Sequence, residues 1–105
     1  MKALLPLALA LLIVDAGPDQ TVRFSFHLDP QHPGHIQLQG KVGISDSAVK
    51  TDFRWVAVSG KGMILHPNRL DTILRVWEPG TYHLMLLAGD GKHLVNDSVI
   101  ITVER

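Results

Sequence analysis

Three histidines, His27, His32 and His35, fall within nine positions of one another in this chain of 105 residues. Neutral imidazoles that close together are the usual ligands of zinc and copper, which would make the chain a small periplasmic metal-binding protein. Against that, Pro30 and Pro33 stiffen the segment that carries them, and the local alternation turns His27 outward. No cysteine reinforces the set, so solvated loop histidines are the expected outcome, with no resident metal or cofactor. Serine, histidine and aspartate are also present, as acyl transfer requires. None of the serines sits in a nucleophile-elbow context, and two packed sheets without long loops form no deep cleft. No enzyme is expected. Asn96-Asp97-Ser98 fits the acceptor pattern for N-glycosylation, with a plain turn into the last strand as the simpler reading. The absence of cysteine removes disulfides, thiolate zinc sites, iron–sulfur clusters and cysteine nucleophiles together.

The elements that would position these residues follow from composition and pattern. Ten Lys+Arg balance ten Asp+Glu, and without a clustered basic face there is nothing to hold nucleic acid phosphates. Apolar residues make up 46%, enough for one packed core and too many for a disordered segment. Lys2 is the only charge ahead of an apolar run from Ala3 to Val14, and Val14 and Ala16 stand at −3 and −1 of a cut. That arrangement reads as a secretory signal peptide over residues 1–16, leaving 17–105 as one domain. As a helix the run would reach only about 18 Å against about 30 Å of hydrocarbon, so no membrane span is expected. A cut after Ala10 and an extra apolar edge strand are the alternatives. The expected location is secreted, periplasmic or on the extracellular surface.

After residue 16 the dominant period is two, broken by Gly, Pro, Asn and Asp. Val22, Phe24, Phe26 and Leu28 alternate with polar residues, and so do Ile36 and Leu38. Thr51–Val58, Met63–Leu65, Thr72–Val76, Thr81–Ala88 and Ser98–Val103 complete the set, with Gly89-Asp90-Gly91 as a tight hairpin. Seven short antiparallel strands with turns about every 8–12 residues predict an all-β, immunoglobulin-like sandwich. Trp55 on the third strand is the expected body between the sheets, with Leu84 and Leu86 beside it. Tyr82 suits a tyrosine corner, its hydroxyl bonding back to the preceding loop.

Several motifs are more specific. Ala16-Gly17-Pro18-Asp19-Gln20-Thr21-Val22 resembles the opening of the polycystic-kidney-disease (PKD) domain family. Leu38-x-Gly40 with Ser45-Asp46, and Trp55 followed by Val58-Ser59-Gly60, fall where members of that family carry similar stretches. Gly80-Thr81-Tyr82-x-Leu84-x-Leu86 and Asp97-Ser98-Val99-x-Ile101-x-Val103 resemble its last two strands. The resemblance covers residues 16–103. It implies a non-catalytic extracellular β-sandwich that contacts proteins or polysaccharides. Lys41–Lys50 lacks the family's usual acidic run, a departure that bears against carrying over a calcium site from the members that bind the ion.

One face stands out. The third, sixth and seventh strands share a sheet in this architecture. If Trp55, Tyr82, Leu84 and Leu86 point inward, then Arg54, Val56, Val58, His83, Met85, Leu87, Ile100 and Thr102 point out. An outer face so apolar is unusual for an antiparallel sheet and marks a contact surface, for a foreign protein, a polysaccharide or a second copy. The competing explanation is β-propensity alone. A spacer or assembly unit of a surface protein is the second reading of the chain.

Overall fold

A computed structural model describes residues 12–44 and 50–105. Nine strands are formed among them: β1 (Leu12–Asp15), β2 (Gln20–Arg23), β3 (Gly34–Gln39), β4 (Lys41–Ile44), β5 (Asp52–Ser59), β6 (Met63–Ile64), β7 (Asp71–Val76), β8 (Gly80–Gly89) and β9 (Leu94–Glu104). The architecture is all-β and immunoglobulin-like. One sheet runs β2-β9-β8-β5, the facing one β3-β7-β6, and β1 pairs with β4. No described helix is long and apolar enough to cross a membrane.

The strand count is nine where the alternation predicts seven, and the breaks have local causes. At Gly17, whose φ is +87°, and Pro18, which offers no N–H to a ladder, the amino-terminal strand passes from one sheet to the other. It pairs first as β1 with β4, antiparallel, then as β2 with β9, parallel. The fold is therefore not wholly antiparallel. The second strand breaks at Gly40, where a Cβ would fall 2.6 Å from Leu86 Cδ2 and 3.0 Å from the Trp55 ring. Only glycine admits the indole so near the backbone.

The core is continuous between the sheets. Trp55 is 1% exposed, and Leu38, Leu74, Val76, Leu84, Leu86, Val99 and Ile101 are equally buried around it. Each belongs to the inward half of an alternating strand, which is how a period of two makes a hydrophobic layer. The indole is fixed as well as buried. Its Nε1 donates to Leu70 O at 3.2 Å, and its backbone N–H donates to Pro67 O at 2.7 Å. Leu70 O also accepts from Gly40 N, so one carbonyl ties the loop before β7 to both the tryptophan and the strand break. Tyr82, buried beside the β7–β8 turn, donates its hydroxyl proton to Glu78 O. Burial pushes its phenol pKa up.

Two boundaries differ from the sequence reading. The first predicted strand, Val22–Leu28, ends at Arg23: Phe24 turns its ring over Gly34, and stacks tilted on Phe26 at 5.4 Å between centroids. Upstream, the folded unit begins before Gly17. Leu12 and Ala16 are buried, and Ala16 N donates to Asp97 Oδ2 at 2.8 Å. The sandwich thus uses residues 12–16, which the signal-peptide reading assigns to the leader.

Candidate interaction face

The register of β5, β8 and β9 decides which side chains share a surface. Arg54 stands opposite Leu87, which stands opposite Asn96; the next outward row is Val56, Met85 and Ser98. His83 faces Ile100, and Thr81 faces Thr102, which neighbours Thr21 on β2. The inward rows between them hold Trp55 with Leu86, and Leu84 with Val99. Arg54, Val56, His83, Met85, Leu87 and Ile100 therefore occupy the outer face of one sheet. All of them but Arg54, which is exposed, are half-buried.

Val58 departs from this arrangement. A bulge between Ala57 and Ser59 places Ser59, not Val58, opposite His83. The extra residue slips the alternation by one at the end of β5, and Val58 sits there half exposed. Sequence alternation alone does not register such an insertion.

The face also extends further than the alternation suggests. The β8–β9 turn is Asp90-Gly91-Lys92-His93, four residues, and Gly89 pairs with Leu94. Asp90 Oδ1 accepts from the backbone N–H groups of His93 at 2.7 Å and Lys92 at 2.9 Å. Those donors hold the Asp90 carboxyl down at about 2. Gly91, at φ +93°, supplies the left-handed step that the turn needs. The last strand consequently starts at Leu94 rather than Ser98. Leu94 and Asn96 join Ser98 and Ile100 on the outward side, and Leu94 is 71% exposed. The signal for this extension was present in the turn-forming Asp90, four residues before Leu94. An open cavity of about 260 Å³ lies at this end, lined by Phe53, Arg54, Leu87 and Leu94 among others.

The opposite outer face is built differently. On β3, His35, Gln37 and Gln39 are exposed and stand opposite Arg75, Ile73 and Asp71 of β7, with Met63 of β6 beyond Arg75. A polar groove of about 360 Å³ borders it, lined by Asp15, Gln20, Gln37, Gln39 and Lys41 among others.

The three clustered histidines are not brought together. His32 Nδ1 lies 3.0 Å from Asp29 Oδ1, and this contact holds the Asp29 carboxyl below its usual range. His35 Nε2 accepts from Arg75 Nε at 3.2 Å, and His27 is exposed on the segment after Phe26. Among the described residues no three His, Cys, Asp or Glu side chains are grouped as a metal site.

No family model matches the sequence, and no curated protein matches it. Solved structures do. The PKD domain from the KIAA 1837 protein superposes with a TM-score of 0.64 at 22% identity, over 87% of this chain and 84% of that one. The fold is that of a PKD domain. A second PKD domain, from human KIAA0319, gives a TM-score of 0.65 at 15% identity, over 89% of this chain and 80% of the other. The M1 domain from titin gives 0.50 at 13% identity, over 90% and 95%. In this PKD-type fold the sheet bearing the apolar outer face is the one that holds the tryptophan and the tyrosine corner.

Proposed function

We propose that this PKD-like domain is an exported, non-catalytic binding module whose contact surface is the outer face of β5, β8 and β9. The observation that carries the reading is the contrast between the two outer faces. If β-propensity alone chose the outward residues, both sheets would show it. Instead β3, β7 and β6 present His35, Gln37, Gln39, Asp71 and Arg75 with only Ile73 and Met63 apolar among them, whereas β5, β8 and β9 present Val56, Met85, Leu87, Leu94 and Ile100 among Arg54, His83, Asn96 and Ser98. Covering those apolar side chains releases water from them, and Arg54, His83 and Asn96 around them supply selectivity at a polar rim. A face of this composition fits a protein surface, foreign or a second copy, better than a polysaccharide, which would call for more polar contacts.

Export is carried by the apolar amino-terminal stretch behind Lys2. A cut after Ala16 would remove β1 together with the buried Leu12 and Ala16. A cut that preserves the sandwich falls upstream of Leu12.

The test uses the domain as bait in the native extracellular fraction, with two single variants. Retention of a partner should be lost with Met85→Lys and kept with Gln37→Lys. Equal retention by both variants, or loss with Gln37→Lys alone, contradicts the proposal. Light scattering across a concentration series separates a second copy from a foreign protein.

A further inference from the structure

One rim residue of the outer face, Asn96, carries a second chemical handle. Asn96-Asp97-Ser98 has the residue types of an N-glycan acceptor, and the simpler reading of these residues, a turn entering the strand, does not hold. Asn96 is the third residue of β9, exposed, and its cross-strand partner is Leu87. Asp97, the middle residue, is directed elsewhere: its carboxylate accepts from Ala16 N at 2.8 Å. The Asn96 side chain therefore projects from the outer face without obstruction from the residue between it and Ser98. Leu94, one outward step away on the same strand, is 71% exposed. The cavity of about 260 Å³ that Leu94, Leu87, Phe53 and Arg54 line opens beside it.

We infer that Asn96 is an N-glycosylation site and that the first sugar of its glycan lies over Leu94 and Leu87. The inference rests on the export reading, since the donor is met only in a secretory compartment. In the transfer, Asn96 Nδ2 forms a bond to C1 of the reducing-end N-acetylhexosamine of a lipid-linked oligosaccharide. The bond from that carbon to the lipid pyrophosphate breaks, the pyrophosphate leaves with the electron pair, and the amide releases one proton. A pyranose ring has an apolar face as well as hydroxyls. The first suits the leucines at the cavity mouth, and the second suit the Arg54 guanidinium. The glycan then closes the hairpin end of the face and confines partner contact to Val56, Met85, His83 and Ile100.

The full chain is expressed in secreting eukaryotic cells, once with its own amino terminus and once behind an established export leader. Intact mass is read before and after treatment with a glycan-releasing amidase. Exported material should carry a discrete excess mass, removed by the amidase with conversion of Asn96 to aspartate. The excess should be absent in Asn96→Gln and in Ser98→Ala. Bare polypeptide exported behind the supplied leader overturns the glycan. Export only behind the supplied leader overturns the export reading and leaves the glycan to be judged on that material. Binding of a hydrophobic dye should rise when the amidase acts; unchanged dye binding overturns the seating of the sugar on Leu94 and Leu87.

Discussion

The two outer faces of the sandwich are both built on alternating strands and differ in chemistry. Along β3 the outward positions are His35, Gln37 and Gln39, and the chain spends its apolar residues inward on Ile36 and Leu38. Along β8 the inward positions are Tyr82, Leu84, Leu86 and Ala88, and the outward ones are His83, Met85 and Leu87. Strands β3 and β7 form a sheet whose exterior is mainly polar, with Ile73 as its apolar exception. The apolar exterior of β5, β8 and β9 is therefore not a requirement of folding. On the proposed reading, what distinguishes the faces is what each meets in solution.

The comparison breaks if the inner and outer residues of one strand have like effects, and the largest expected difference lies on β5. Trp55→Ala should cost about 3–5 kcal/mol, a large share of the roughly 5–15 kcal/mol of a typical domain. Denaturant unfolding checks it, with its neighbour Val56 as the outward control. Next in size is the junction that ties the amino-terminal strand to both sheets. Asp97→Ala leaves Ala16 N without its acceptor and should cost about 1–3 kcal/mol, measured the same way. Tyr82→Phe removes the bond to Glu78 O and should cost about 0.5–1.5 kcal/mol.

Acid sharpens the contrast at the β8–β9 turn. Asp90 is held at about 2 by the amides of His93 and Lys92, below its unfolded value of 3.8. Its contribution to stability is thus present above the unfolded value and lost as pH falls through about 2. Unfolding curves from pH 5 to pH 2 should flatten in Asp90→Asn relative to the parent. The smallest stability effect belongs to the contact face: Met85→Lys should change unfolding by no more than about 0.5 kcal/mol, its stem lying along the sheet with the ammonium in water, while abolishing partner retention.

Much of the fold was legible in the residues. Alternation identified the inward set, and the isolated Trp55 and the Gly80-Thr81-Tyr82 stretch marked the indole and the corner. The departures came from effects that a period of two does not encode. Gly17-Pro18 and Gly40 break strands according to what packs beside them, the second because of an indole distant in sequence. Phe24 and Phe26 continue the alternation yet leave the sheet, because one ring packs over Gly34. Residues 12–15 read as part of a leader, since an apolar strand and an apolar leader share a composition. For the candidate face, the rows from Arg54 to Ile100 were legible, while the bulge at Val58 and the strand start at Leu94 depended on local pairing and on the Asp90 turn.

The most direct measurement uses the methionines of the two faces as paired reporters. Met85 lies on the proposed contact face and Met63 on the sheet opposite. Oxidation of a methionine follows its exposure, so each can be read by mass spectrometry in the free domain and in the domain bound to its native extracellular partner. The account predicts that binding slows oxidation of Met85 and leaves that of Met63 unchanged. Slowing at Met63, with Met85 oxidised at the free rate, would contradict it.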